Sequence, residues 1–306
     1  MSLYLAVAGI AVNPLAVLGL AATAGTLSGL FGTGGGFLLT PLLMFLGIPP
    51  AVAAASGCNQ IVASSCTGAL AHKRLGNVDV KMGLIFLSGA VLGGAAGAQV
   101  VRILRGLGHY DDAVKAVYVV MLALIGAFML RESLQARQRP SGGPGFTTSR
   151  IKGLLARLPL QTEFRVSGIR TSILFIVGLG FFAGFLAATL GVGGGFITIP
   201  VMIYLLGVPT LVAVGTGLFQ IVFTGISVTF QQALTNHTVD LVLAVVLFGG
   251  AAIGAQIGAR IARFFRAQQI RLFLAVAVLA VMAGMMAGLL SPPETAMTIV
   301  RAGGGH

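Results

Sequence analysis

The chain has 306 residues, of which 57% are hydrophobic and only 8% charged, with a net charge of +12. So few charges over this length exclude an ordinary soluble domain and point to a membrane protein. The positive charge sits in short loops between apolar runs, the positive-inside pattern, and not on a basic domain that would bind nucleic acid.

Apolar segments fall at about 13–32, 33–48, 50–72, 79–103 and 111–131, and again at about 172–191, 192–207, 209–234, 239–263 and 268–290. Most are long enough to cross a hydrocarbon layer of ~30 Å at ~1.5 Å per residue. No Lys or Arg precedes Lys73, so a cleaved signal peptide is not expected. The expected organisation is a first transmembrane repeat (1–131), a basic cytoplasmic linker (132–171), a second repeat (172–290) and a tail (291–306). Within the linker, Ile151, Leu154, Leu155 and Leu158 recur at helical spacing among basic residues, compatible with a short interfacial helix or with a tether.

The halves repeat each other. Gly32, Gly34, Gly35, Gly36 and Pro41 match Gly191, Gly193, Gly194, Gly195 and Pro200 at an offset of 159. Gly47, Pro49, Gly57, Gln60 and Ile61 match Gly207, Pro209, Gly217, Gln220 and Ile221 at 160. Asp79, Gly89, Gly93 and Gly97 then match Asp240, Gly250, Gly254 and Gly258. If the glycine-interrupted stretch 13–47 makes a hairpin, each repeat crosses an odd net number of times and the halves are inverted. That arrangement puts 15 of the 19 basic residues on the linker side, against 12 if the stretch crosses once. The fold expected is therefore an all-α integral membrane protein of two inverted helical repeats. It would have about 8–10 membrane segments, including two Gly-broken hairpins.

Four glycines in five residues break a helix, because each costs ~1 kcal/mol relative to Ala. Inside an apolar span such a break is tolerated where the freed backbone is buried in protein or lines a cavity. A helix restarting near Gly34, Gly35 and Gly36, or near Gly193, Gly194 and Gly195, presents unpaired N–H groups and partial positive charge. Two such termini aimed at one point would hold an anion without a basic side chain. Close helix packing is the alternative use of these glycines.

The next helix of each repeat carries the polar groups. Ser56, Gln60, Ser64 and Thr67 lie on one helical face, and Thr216, Gln220, Thr224 and Ser227 repeat it. Asn59 and Cys58 add polarity in the first repeat alone, where the second has Phe219 and Leu218. Amides and hydroxyls in lipid need partners, so the stripe should face the protein interior, either bonding between helices or binding substrate. Neutral donors suit an anion that must bind and then leave. The candidate substrate-binding set is Gly34, Gly35, Gly36, Ser56, Asn59, Gln60, Gly193, Gly194, Gly195, Thr216 and Gln220, with Cys58, Ser64 and Thr224 secondary.

The remaining motifs read as structural. Gly89, Gly93 and Gly97, and their counterparts, form small-residue ridges for helix packing. Asp79 and Asp240 sit at helix starts near the membrane surface, as caps. No carboxylate falls in mid-membrane, which argues against a cation carrier and leaves a coupling proton or other ion open. Cys58 and Cys66 share one helix without a nearby His or carboxylate, so no disulfide framework, metal site or cofactor is expected.

The duplicated Gly-x-Gly-Gly-Gly-Phe break, the proline five residues on, and the Gly-Ile/Val-Pro that leads into the Gln60 or Gln220 helix resemble the TauE/SafE sulfite exporter family over about 25–131 and 184–290. The resemblance implies a plasma-membrane permease, in bacteria of the inner membrane, and not an enzyme. It would export sulfite, sulfoacetate or a related small sulfur anion, driven by an ion gradient or the membrane potential. Oligomeric assembly is left open. A passive anion channel, or a sulfur-handling membrane protein using Cys58, are the rival readings.

Overall fold

A computed structural model describes residues 3–31, 36–136, 158–262, 264 and 267–290. The proposed interfacial helix around Ile151, the tail from residue 291, and Gly34 and Gly35 lie outside these residues. Ten α-helices are described: α1 Pro14–Phe31, α2 Gly36–Phe45, α3 Pro50–Arg74, α4 Val80–Gly106, α5 Tyr110–Ala136, α6 Ile173–Leu190, α7 Gly195–Pro200, α8 Thr210–Asn236, α9 Leu241–Ala262 and α10 Ala267–Leu290. A π-helical stretch, Val201–Leu206, continues α7. The boundaries follow the hydropathy segments to within a few residues.

Four of these helices are both long and apolar enough to cross a membrane: Val80–Gly106, Ile173–Leu190, Thr210–Asn236 and the Leu241–Gly258 part of α9. Their outer faces expose large apolar side chains such as Leu84, Leu92, Phe181, Phe230, Val245 and Ile253, which water would not tolerate so densely. The α3 helix differs. Its residues from Pro50 to Cys58 and from Gln60 to Ser65 are buried, so its polar stripe is enclosed by protein as far as Ser64, and of the stripe only Thr67 is exposed.

Glycine ridges set the packing. On α4, a Cβ at Gly89, Gly93 or Gly97 would strike the backbone of Val177, Phe181 or Phe185 on α6. On α9, Gly250, Gly254 and Gly258 meet Leu18, Ala22 and Thr26 of α1 in the same way. Helix backbones can approach this closely only where side chains are absent. Each pair runs parallel, and each joins one half of the chain to the other. The two polar helices also pack together. Gly68 lies against Leu218, and Gly225 against Val62 and Cys58, so α3 and α8 run antiparallel.

One short β-hairpin precedes the helices of each half: β1 Leu3–Leu5 with β2 Ile10–Val12, and β3 Gln161–Phe164 with β4 Ile169–Ser172. The sequence reading includes the first in the first repeat, ahead of its first apolar segment, without reading it as strands, and assigns the second to the linker up to residue 171. The same offset of 159 nevertheless places Leu5 on Phe164, both buried, and Gly9 on Gly168, both at positive φ.

The hairpins are held across the repeats. Asp79 caps α4 by accepting from Met82 N at 3.1 Å, while its other oxygen accepts from Ser167 N at 3.1 Å and Ser167 Oγ at 2.8 Å. Asp240 caps α9 by accepting from Leu243 N at 3.1 Å, and its other oxygen accepts from Val7 N at 3.0 Å. Capping agrees with the sequence expectation, but both carboxylates are buried beneath a hairpin and not at the surface.

Candidate functional site

The second glycine break is fully described. Helix α6 ends at Leu190, and Gly191 follows in the left-handed region at φ 70°. Gly193 and Gly194 share that conformation at 71° and 70°, and α7 restarts at Gly195. Three left-handed residues in four are accessible only to glycine without strain. The break is also packed against the first half: a Cβ on Gly191 would strike the Ala54 backbone of α3.

Beyond Ala187 the carbonyls of α6 have no helical donor, and each finds one elsewhere. Ala187 O accepts from Gly191 N at 2.8 Å and from Cys58 Sγ at 3.6 Å. Ala188 O accepts from Gln232 Nε2 at 2.6 Å and Thr189 O from the Tyr110 hydroxyl at 2.9 Å. Leu190 O accepts from the Tyr118 hydroxyl, which also meets the side chain of Thr40 on α2. The donors come from α3, α5 and α8, so the break is fixed from three sides. Cys58, read as a secondary site candidate, is buried with its thiol spent on this backbone.

The two breaks meet. Gly36, the first residue of α2, has the Ile61 side chain over it and the Gly191 carbonyl close by. Gly193 packs against both Ile61 and Ile221, the residues that follow Gln60 and Gln220. Gly57 lies against Thr40 Oγ1 and close to Gly191 O. The junction is therefore built from equivalent parts of both halves.

Gln60 and Ser56 are fully buried, and neither has a hydrogen-bond partner among the described residues. Asn59 Nδ2 and Ser65 Oγ are likewise unpaired. Buried amides and hydroxyls are almost always bonded, so such a cluster on one helix calls for an explanation. The second half is different. Thr216 Oγ1 accepts from Asp79 N at 2.9 Å and Gln220 Nε2 donates to Thr224 Oγ1 at 2.9 Å, so of these groups only Gln220 Oε1 is unpaired; farther along α8, Thr229 Oγ1 and Gln231 Oε1 are also buried without a partner among the described residues. Ser64 donates to the Ile61 carbonyl at 3.2 Å. The expected site residues thus divide. Gly36, Gly193 and the helices bearing Gln60 and Gln220 come together, with Gly194 and Gly195 at the start of α7. Thr216 and Thr224 are engaged in bonds within the fold. Among the described residues, no group of three or more His, Cys, Asp or Glu is placed to hold a metal.

Sequence reasoning missed Tyr110, Tyr118 and Gln232, which hold the α6 terminus. The signal was slight: two of the chain's four tyrosines stand eight residues apart near the start of one helix. Gln232 lies three turns beyond Gln220 on α8.

A bundle of apolar helices around a buried polar junction defines a multi-pass, all-helical membrane protein. A family model described as Sulfite exporter TauE/SafE matches residues 17–285, and the chain belongs to that family. It is 28% identical to "Probable membrane transporter protein YunE" of Bacillus subtilis, over 87% of this chain and 93% of that one. It is 30% identical to "Probable membrane transporter protein YdhB" of the same organism, over 77% of this chain and 85% of that one. A shorter match, 36% identical over 36% of this chain and 24% of that one, is to "Sulfite exporter TauE/SafE family protein 1" of Arabidopsis thaliana. No solved structure matches significantly. The protein is a membrane transporter and not an enzyme.

Proposed function

We propose that the protein is a secondary transporter that exports small sulfur-containing anions, sulfite or an organosulfonate, across the bacterial inner membrane. One observation carries this reading: the buried and unpaired amide of Gln60 stands one residue from Ile61, which packs against both glycine breaks. The substrate would sit there, held by donors on Gln60, Ser56 and Asn59 and by the backbone N–H groups of the helices that restart at Gly36 and Gly195, with Gln220, whose amide nitrogen is kept on Thr224, bordering it through its unpaired oxygen. These donors are neutral, so the anion is held without an ion pair that would slow its release.

Inverted repeats with 8–10 membrane segments fit this reading. The corresponding helices α3 and α8 run antiparallel, and each half lends its glycine ridge to the other. Placing the Asp79–Ser167 end in the cytoplasm follows from the positive-inside count. Rocking of one repeat against the other would then open the junction alternately to each side.

The test is sulfite, sulfate, thiosulfate and sulfoacetate uptake into proteoliposomes, with and without an imposed pH gradient. Gln60→Ala and Gln220→Ala should abolish transport while the purified protein remains monodisperse. Wild-type rates in both variants would remove the site assignment. Saturation with counterflow separates a carrier from a passive channel.

A further inference from the structure

Neither amide atom of Gln60 has a partner among the described residues, whereas Gln220 has only its oxygen unpaired. Whichever way the Gln60 amide is turned, it presents one donating nitrogen and one oxygen that can only accept. Gln220 Oε1 is a second such acceptor as the amide is placed. The unpaired hydroxyls of Ser56 and Ser65 can serve either role, and Asn59 Nδ2 donates. An anion that only accepts hydrogen bonds would satisfy the donors and leave the Gln60 carbonyl buried and unpaired.

Charge points the same way. No Asp, Glu, Lys or Arg occurs in residues 1–72 or 172–239, which include α1, α2 and most of α3, and α6 through α8. A dianion at this junction would be buried with no countercharge on α2, α6, α7, α8 or the part of α3 that bears Gln60; on α5, Asp111 and Asp112 are exposed and Lys115 is half-buried beyond Tyr110. The cost of burying charge rises steeply with its magnitude.

We infer that the substrate enters as a monoanion carrying its own hydrogen-bond donor, which it gives to Gln60 Oε1: a protonated oxyanion such as hydrogen sulfite, or a sulfonate bearing a hydroxyl group. Fully deprotonated sulfite and sulfate are discriminated against. The inference rests on the site reading given above and deepens it.

Two sulfonates of equal charge differ only in the donor: ethanesulfonate and 2-hydroxyethanesulfonate. Each is offered as a competitor of labelled sulfite uptake into proteoliposomes. The hydroxyl-bearing compound should compete about tenfold better, the effect of a single buried hydrogen bond. Gln60→Met, whose side chain is similar in size and lacks both amide groups, should lose most sulfite uptake, and whatever uptake remains should be inhibited equally by the two sulfonates. At fixed total sulfite and without a pH gradient, uptake should rise with falling pH in proportion to the hydrogen sulfite fraction. Equal competition by the two sulfonates, or a flat pH profile, overturns the donor requirement; neither measurement needs a variant that folds. A Gln60→Met protein that carries sulfite at the wild-type rate overturns the site itself. Equal competition combined with an inactive Gln60→Met removes only the donor requirement.

Discussion

The hydroxyl of Ser167 donates to Asp79 at 2.8 Å, joining a hairpin that leads into the second repeat to the first turn of α4 in the first. The carboxylate has two oxygens and uses each for a different task, one for the helix cap and one for the hairpin. Asn at this position keeps an acceptor for Met82 N and loses one for Ser167. Asp79→Asn should therefore lower stability by about 1 kcal/mol and Asp79→Ala by roughly 2–3 kcal/mol, with Ser167→Ala the mildest. Thermal unfolding of the detergent-purified protein checks the order, and an Asp79→Ala as stable as wild type contradicts the dual role.

Glycine substitutions separate packing from helix propensity. Alanine is the better helix former, so Gly178→Ala, with nothing within 4 Å of the added methyl, should be neutral or stabilising by up to ~1 kcal/mol. Gly93→Ala should destabilise despite the same propensity gain, because the methyl meets the Phe181 backbone. The same unfolding measurement decides, and equal effects at the two positions would rule out the ridge.

At the junction, Gly36 and Gly191 should respond differently to a partner change. The methyl of Gly36→Ala meets the end of the Ile61 side chain, so Ile61→Ala should partly restore what Gly36→Ala loses. Gly191→Ala strikes backbone at Ala54 and also requires a φ of 70°, so no side-chain trimming should restore it. A double-mutant comparison of folded yield and sulfite transport makes the distinction.

Tyr118→Phe removes one hydroxyl and leaves the Leu190 carbonyl unpaired inside the protein. The loss should be about 1–3 kcal/mol, well above that of an exposed Tyr→Phe change. Tyr4→Phe, at an exposed tyrosine, is the matching control. Similar unfolding temperatures for the two variants would show that the α6 terminus does not depend on the hydroxyl.

The helices were legible because an apolar run in lipid has few alternatives to a helix, and the glycines at 191–195 interrupt that run locally. The Asp79 and Asp240 caps were legible for the same reason, since a cap sits beside the helix it serves. The polar face of α3 could be read from spacing alone. That Gln60 stays unpaired while Gln220 bonds to Thr224 could not, because the difference lies in where the Ser64 and Thr224 hydroxyls turn. The hairpins escaped notice because their short strands carry little periodicity, and Asp79 and Ser167 stand 88 residues apart in the chain. Tyr110 and Tyr118 escaped because their partners are backbone carbonyls on another helix, and no pattern of side chains marks a carbonyl.

The exchange of hairpins and glycine ridges between the halves also bears on biosynthesis. When the ribosome has finished α5, the groove on α4 still lacks α6, α1 still lacks α9, and Asp79 still lacks the Ser167 hairpin. The early half must wait in the bilayer, its small-residue stripes facing lipid, until the later half is inserted. A chain truncated after residue 136 should accordingly be a substrate for membrane quality control. Supplying residues 137–306 as a separate polypeptide should rescue it.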